Sequence, residues 1–360
     1  MRYSPFGYIG SVFWKRRPIQ LTFFVTRRCN ASCPFCFYIS NDGGSEKRSS
    51  ELSVYEIEKV SRSLGTLMWL AFSGGEIFLR DDIVEITNIF YGRNRPAIIL
   101  LPTNGLLPEL IRERVEAILR MCKKSTVVVK LSLDGPQEIQ DSLRGIKGAY
   151  EKTMKTYRLL GDLIAGYPNF ELGINTVFCS ENQGNMDDII DFVNDLDNIK
   201  THTVSLIRGD VSNGSMKNVE MEIYHKTIRK LEENLKKKIA RTYRFRGGRL
   251  KAAQDILQRR LIYETRVQKR QLIPCFAGRL NLVLTETGAL YPCESFDKKM
   301  GNVRDHGYDI KRLLKSEQAR KVLGEIRENK CYCTHECYLM TNIIFNASTY
   351  PSLIKEYIQL

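Results

Sequence analysis

The chain has 360 residues, of which 43% are hydrophobic and 27% are charged. This composition is ordinary for a globular protein and excludes a disordered or fibrous chain. No apolar run reaches the ~18 residues of a membrane-spanning helix, and residues 1–18 lack the pattern of a signal peptide. Eight of the ten cysteines fall into two groups, one near each end of the chain, and the net charge of the chain is +14. Grouped cysteines in a chain predicted to be cytoplasmic favour metal binding or redox chemistry over a disulfide scaffold.

Between about residues 19 and 210, short β-rich runs alternate with amphipathic helical stretches. This alternation predicts parallel βαβ units with right-handed crossovers. Six units in a row predict a partial barrel, with its site at the carboxyl ends of the strands. The predicted strands are 20–26, 68–73, 97–103, 127–133, 172–177 and 202–207. The predicted helices are 53–64, 80–88, 108–121, 152–163 and 185–196.

Residues 221–271 change in character and predict two amphipathic helices that are separated at Gly247 and Gly248. Between His225 and Arg270 there are 16 Lys or Arg and four acidic residues, a net charge of +12. Three interpretations stay open: a solvated polar face, binding of an anionic substrate, or contact of residues 222–270 with an anionic membrane surface. RNA fits the charge as well, but the chain shows no known RNA-binding module, so nucleic acid is not the favoured partner.

The C-terminal region begins with a predicted β-hairpin and continues with a predicted polar helix. Runs 280–285 and 289–292 flank a turn that contains Gly288, as expected for a hairpin. The helix is predicted over residues 310–328, and the second group of cysteines follows it.

The first cysteine group, Cys29, Cys33 and Cys36, directly follows the first predicted strand. Three closely spaced thiolates can bind three irons of a [4Fe–4S] cluster, which leaves the fourth iron open to another ligand. A zinc site is the alternative, but it requires a fourth Cys or His nearby. The first histidine of the chain is His202, so the spacing favours the cluster.

The order of motifs along the predicted barrel resembles that of the radical S-adenosylmethionine (radical SAM) superfamily. The C-x3-C-x2-C spacing follows the first strand, Gly74-Gly75-Glu76 follows the second, and Thr103-Asn104-Gly105 follows the third. Ser132-Leu133-Asp134-Gly135 ends the fourth strand, and Arg144 comes twelve residues after Ser132. Further matches are Phe35 between the cysteines, the region of Asn175 on the fifth strand, and residues 206–208, beginning with Leu206, on the sixth.

The resemblance implies a function for each of these positions. Gly74, Gly75 and Glu76 are expected to hold the methionine amino group of S-adenosylmethionine (SAM), and Ser132 and Arg144 its carboxylate. Phe35, Asn175 and Leu206 are expected beside the adenosine. The implied reaction is reductive cleavage of SAM to a 5′-deoxyadenosyl radical, which abstracts a substrate hydrogen atom. The resemblance does not identify a catalytic acid or base.

The second cysteine group resembles the auxiliary cluster domains of the same superfamily, called SPASM and, in a shorter form, twitch. Cys275 is followed by Gly288 and Cys293 in the family's spacing. The implied ligands of one auxiliary [4Fe–4S] cluster are Cys275, Cys293 and two of three later cysteines, and the choice among those three stays open. A structural zinc is the alternative. The three later cysteines are Cys331, Cys333 and Cys337.

These observations predict an α/β fold: a partial (β/α)6 TIM-like barrel with a small C-terminal α+β twitch domain formed by a β-hairpin and a helix. The predicted divisions are an N-terminal extension (1–18), the radical SAM core (19–220), a basic helical linker (221–272), the auxiliary cluster domain (273–345) and a C-terminal tail (346–360).

The expected partners are SAM, a flavodoxin- or ferredoxin-type reductant, and a substrate. A peptide or protein substrate ranks first, ahead of small-molecule, sugar or lipid tailoring. The alternative from another class is a zinc-stabilised nucleic-acid-binding protein. The predicted location is the cytoplasm, with peripheral membrane contact as the alternative.

Overall fold

The computed structural model describes residues 3–15, 17–39, 50–328 and 331–360. Within these ranges the strands form one nine-stranded sheet in the order β6-β5-β4-β3-β2-β1-β7-β8-β9. Strands β1 to β7 pair in parallel, whereas β8 and β9 pair antiparallel. The strands are β1 (Gln20–Thr26), β2 (Trp69–Gly74), β3 (Ile98–Thr103), β4 (Thr126–Ser132), β5 (Phe170–Phe178), β6 (Thr201–Leu206), β7 (Asn281–Leu284), β8 (Ala289–Tyr291) and β9 (Gly301–Asn302).

Helices connect consecutive parallel strands, as the alternating pattern predicts, and the partial barrel is confirmed. One helix was not predicted, because α4 is short and polar and directly follows Pro136. The core helices are α1 (Val54–Ser63), α2 (Ile83–Asn94), α3 (Pro108–Met121), α4 (Gln137–Arg144), α5 (Ala149–Gly161) and α6 (Met186–Asp195).

The hydrophobic core lies between the outer face of the sheet and these helices. On β1, Leu21 and Phe23 are fully buried in this core, whereas the alternate residues Gln20 and Thr22 face the inside of the barrel. Period-two alternation therefore separates an apolar outer layer from a polar inner wall. Helix α1 shows how an outer helix is held, since Ser53 and Glu56 form a capping box and Ile57 is buried.

The two basic helices are α7 (Met221–Lys236) and α8 (Gly248–Gln268). Several of their cations are neutralised within the fold: Lys236 lies 2.9 Å from Glu356, and Arg260 lies 2.7 Å from the same carboxylate. Contact of this segment with an anionic membrane stays a prediction. No helix in the described part of the chain is long and apolar enough to span a membrane.

The C-terminal region adds β7 beside β1 and folds back through the predicted hairpin to β8. Gly288 has a φ of +84°, which favours glycine in this turn. The helix predicted over 310–328 is interrupted and forms two helices. The segment predicted as a tail contains a helix that packs against α8. These helices are α9 (Ile310–Leu313), α10 (Glu317–Glu328), α11 (Glu336–Ile344) and α12 (Tyr350–Gln359).

Strands β1 and β6 do not pair with each other, so the barrel is open along one side. Helix α8 contributes Lys251, Asp255 and Gln258 to the wall of the internal cavity, and α11 contributes Cys337 and Met340. These two helices therefore cover the open side and enclose a space inside the barrel.

Candidate active site

The inner face of the barrel, the loop after β1, and helices α8 and α11 enclose a cavity of about 370 Å³. The cavity brings together all of the site residues that the sequence predicts for the core. They come from five different strands or from the segments that follow them, which is the arrangement that parallel α/β folds use for their sites. Those lining residues are Cys29, Cys33, Phe35, Cys36, Gly74, Gly75, Glu76, Ser132, Arg144, Asn175 and Leu206.

Each of the three thiols after β1 accepts a hydrogen bond. Asn104 Nδ2 lies 3.7 Å from Cys29 Sγ, and Arg144 Nη1 lies 3.7 Å from Cys33 Sγ. The main-chain N–H of Ile39 donates to Cys36 Sγ at 3.3 Å. Hydrogen bonds to ligand sulfurs are one of the means by which proteins tune iron–sulfur clusters.

These thiols also suit a cluster in their number and placement. Burial raises the pKa of the Cys29 thiol to about 11 and also raises that of Cys33, so binding iron would displace their protons. Among the described residues, no three His, Cys, Asp or Glu side chains are placed to hold a single metal ion. Thiolates of a [4Fe–4S] cluster bind different irons, so they need not converge on one point.

Two glycines at the end of β2 allow the cysteine loop to lie against that strand. The N–H of Gly75 donates to Thr26 O at 2.8 Å, and the N–H of Glu76 donates to Arg28 O at 2.9 Å. A Cβ on Gly75 would lie 2.0 Å from Arg28 O, and Gly74 has a φ of +122°. The glycines are therefore required for the two backbones to meet.

Glu76 is buried and held by three hydrogen-bond donors. Its Oε1 accepts from Thr103 Oγ1 at 2.9 Å and from the N–H of Phe78 at 3.2 Å. Its Oε2 accepts from the N–H of Asn104 at 2.8 Å. Burial raises the pKa of this carboxyl to about 7, although these hydrogen bonds lower it. The carboxylate is thus oriented toward the cavity before any ligand arrives.

Arg144 is positioned by a partner that sequence reasoning missed. Its guanidinium pairs with the buried carboxylate of Asp134 at 2.5 Å and lies over the ring of Phe35 at 5.3 Å. Asp134 is itself held by the N–H of Val177 at 2.9 Å. The only available signal was the presence of Asp134 in the same motif as Ser132.

Ser132 and Asn175 lie side by side, because they are paired in register on β4 and β5. Asn175 Oδ1 accepts a hydrogen bond from Ser205 Oγ at 3.1 Å. Leu206 is buried at the end of β6. The predicted contacts for SAM therefore follow one another around the rim of the barrel.

The second cysteine group divides into four thiols and one. Electrostatic interactions link the thiols of Cys275, Cys293, Cys331 and Cys333 to one another. Burial raises the pKa of Cys293 to about 11 and that of Cys333 to about 12. Cys337, on α11, lines the barrel cavity instead, and its strongest electrostatic neighbours are Glu294, Arg208, Glu336 and Lys251.

A charged network beside Cys337 was also missed. Arg208 Nη2 donates to Glu294 Oε2 at 2.8 Å, and its Nη1 lies 3.6 Å from Glu336. Deeper in the cavity, the ammonium of Lys130 donates to Thr201 Oγ1 at 2.6 Å, and burial lowers the pKa of Lys130 to about 7. A lysine within an otherwise apolar strand was a usable signal, whereas the Arg208 network joins segments far apart in sequence.

Comparison with known proteins agrees with this geometry. Residues 23–193 match the Radical SAM superfamily, and residues 275–338 match an iron–sulfur cluster-binding domain, SPASM. The chain is a radical SAM protein. More particularly, it is one with a C-terminal SPASM-type domain, and the two domains imply a SAM-binding [4Fe–4S] cluster, auxiliary iron–sulfur binding and SAM itself.

Two curated relatives and one solved structure illustrate the similarity. The chain is 26% identical over 339 residues to the antilisterial bacteriocin subtilosin biosynthesis protein AlbA of Bacillus subtilis, covering 89% of this chain and 67% of that protein. It is 26% identical over 330 residues to an AdoMet-dependent heme synthase of Methanosarcina barkeri, covering 88% of this chain and 87% of that protein. The structure of anSMEcpe with bound AdoMet shares the fold, with a TM-score of 0.63, 17% identity, and coverage of 95% of this chain and 96% of that one.

Proposed function

We propose that this protein is a radical SAM enzyme that abstracts a hydrogen atom from a peptide substrate inside the barrel. One observation carries the proposal: the three clustered thiols and all predicted SAM contacts line the same cavity. When bound, the cluster supplies the electron that cleaves SAM to methionine and a 5′-deoxyadenosyl radical. The chain itself binds and orients the reactants and excludes water.

The proposed roles of the core residues follow from their positions. Cys29, Cys33 and Cys36 bind the cluster. Glu76, oriented by its three hydrogen-bond donors, accepts a hydrogen bond from the methionine amino group of SAM. The remaining contacts bind the SAM carboxylate (Ser132, Arg144) and the adenosine (Phe35, Asn175, Leu206), with Gly74 and Gly75 shaping the strand end.

The auxiliary site draws its ligands from the five C-terminal cysteines. The mutual proximity of four thiols favours Cys275, Cys293, Cys331 and Cys333 as the ligand set. Four thiolates complete the coordination of a [4Fe–4S] cluster, so this site suits electron transfer rather than substrate binding. Cys337 then remains free to face the cavity.

The charges of the cavity support a peptide over an anionic small molecule. The relatives leave both open, since one makes a bacteriocin and the other is a heme synthase. Carboxylates such as those of a tetrapyrrole require cationic partners. Among the cavity cations outside the proposed SAM contacts, Arg208 is already paired with Glu294 and Lys251 with Asp255, and Lys130 donates to Thr201. A neutral polypeptide segment leaves these pairs intact. Small-molecule, sugar or lipid tailoring is the alternative outcome.

The test is anaerobic reconstitution with iron and sulfide, followed by iron counting and assay of 5′-deoxyadenosine from SAM under a flavodoxin or chemical reductant. We expect about eight irons in the wild type and about four in the Cys29→Ala/Cys33→Ala/Cys36→Ala variant. Only the wild type should release 5′-deoxyadenosine. Cys179→Ala, which alters a buried thiol outside both groups, is the matched control and should keep its iron. A colourless, iron-free protein would instead support the zinc-stabilised nucleic-acid-binding alternative.

A further inference from the structure

Two buried polar side chains on β1 have no hydrogen-bond partner within the described part of the chain. They are Gln20, which is 1% exposed and unpaired at both Nε2 and Oε1, and Thr22, which is 2% exposed and unpaired at Oγ1. Nine in ten or more buried polar groups in proteins are paired, and a buried polar group without a partner destabilises the folded state. Two such residues in succession on one strand face therefore need an explanation.

Both side chains line the barrel cavity. On the neighbouring strand, Trp69 lies in register with Gln20, and Ala71 lies in register with Thr22, and both of these also line the cavity. The result is a polar strip beside an apolar platform. Thr22 comes four residues before the end of β1, which places the strip roughly 13 Å below the cysteine loop.

The chemistry of the strip matches a neutral ligand that both donates and accepts hydrogen bonds. A carboxamide offers donors and an acceptor, and a hydroxyl can do either. The main-chain N–H and C=O of one residue in an extended chain point to the same side, so they can pair with the Gln20 carboxamide through two hydrogen bonds. Three cations of the cavity wall already have partners within the fold, since Arg208 pairs with Glu294, Lys251 pairs with Asp255, and Lys130 donates to Thr201.

We propose that Gln20 and Thr22 form a subsite that binds a main-chain amide of the peptide substrate deep in the barrel. The inference rests on the proposed function and extends it. Extended chain spans about 3.3–3.6 Å per residue, so a substrate that reaches from the strand ends to this subsite inserts about four residues. The subsite therefore requires that the substrate continue as an extended polypeptide segment on one side of the reacting residue.

The first test needs no substrate and compares melting temperatures of the reconstituted enzyme. Gln20→Met and Thr22→Val remove polar atoms that have no partner, so the melting temperature should stay the same or rise. Gln258→Met is the matched control, because Gln258 lines the same cavity but accepts a hydrogen bond from Gln254 at 2.7 Å, and this variant should melt lower. A large fall for Gln20→Met would show a structural role, such as pairing with Asn281 on β7, and would overturn the proposal.

The second test measures peptide binding. An mRNA-displayed library of random decapeptides is selected on the reconstituted enzyme with SAM, and the affinity of an enriched peptide is measured by fluorescence anisotropy. The Gln20→Met/Thr22→Val variant should bind it about tenfold or more weakly, as expected for the loss of two or three hydrogen bonds. Replacing one peptide amide by an ester should weaken binding to the wild type but not to the variant.

The outcomes separate the subsite from the function on which it rests. Equal affinity of the peptide for wild type and variant overturns the subsite and leaves the peptide function in place. Failure of the library to enrich any peptide, in enzyme that still releases 5′-deoxyadenosine from SAM, overturns the peptide assignment and the subsite together.

Discussion

The two cysteine regions of this protein differ in how their surroundings fix them. The three thiols after β1 each accept a hydrogen bond from a residue outside the C-x3-C-x2-C motif. Main-chain hydrogen bonds from Gly75 and Glu76 tie their loop to β2. The five C-terminal thiols are spread over the two segments that flank the hairpin, the loop after α10 and the first turn of α11.

This difference explains why spacing predicts one complete ligand set and leaves the other open. In the first region the number of thiols equals the number needed to leave one iron open, so each has one role. In the second region there is one thiol more than a fully ligated cluster needs. Position relative to the barrel cavity then distinguishes Cys337 from the other four.

The strongest way to test this comparison is to replace Cys333 and Cys337 separately by serine. The change is chemically identical at two positions four residues apart. Cys333→Ser should reduce the iron content from about eight to about four, because its thiol lies with those of Cys275, Cys293 and Cys331. Cys337→Ser should retain about eight irons.

Iron counting and low-temperature electron paramagnetic resonance of the dithionite-reduced proteins measure this directly. Iron loss from Cys337→Ser, with Cys333→Ser unaffected, would reverse the assignment and make the cavity-facing thiol a cluster ligand. In that case the auxiliary cluster itself would form part of the cavity wall.

The first region predicts a smaller but distinct effect at Glu76. Glu76→Gln removes the charge and places an amide N–H2 against donors from Thr103, Phe78 or Asn104. Loss of a charge-assisted hydrogen bond of about 1.5–3 kcal/mol should weaken SAM binding at least about tenfold. Equilibrium dialysis of SAM against reconstituted protein measures the dissociation constant.

Thr103→Val is the graded control for Glu76, because it removes one of the three donors and keeps the carboxylate. Its effect on SAM affinity should be smaller than that of Glu76→Gln. An unchanged dissociation constant in Glu76→Gln, at full iron content, would remove Glu76 from the SAM site.

Sequence patterns predicted the barrel well where local periodicity decides the structure. Strand β1 and helix α3 have the predicted bounds, since the hydrophobic patterns that define a strand and an amphipathic helix act within a few residues. Local periodicity did not predict α4, which is short, nor the interruption of the helix over 310–328 between α9 and α10.

The candidate site was predictable as motifs but not as contacts. The motif that contains Ser132 also contains Asp134, yet only the folded chain shows that Asp134 holds Arg144. Gln20 and Thr22 read as ordinary strand residues, and their significance comes from the cavity beside them. Interactions between distant segments depend on packing, which spacing along the chain does not specify.

A further predicted effect concerns the cavity wall, to which Lys130 on β4 contributes. Burial lowers its pKa from 10.5 to about 7, so between these values the folded protein binds fewer protons than the unfolded chain. The contribution of Lys130 to stability therefore rises with pH, by about 1.4 kcal/mol per pH unit.

Lys130→Met should be more stable than the wild type at pH 7, and the difference in unfolding free energy between the two proteins should narrow by this slope toward pH 9. Urea unfolding of both proteins measures the gap, and a gap that stays constant with pH would show that Lys130 keeps its proton inside the barrel.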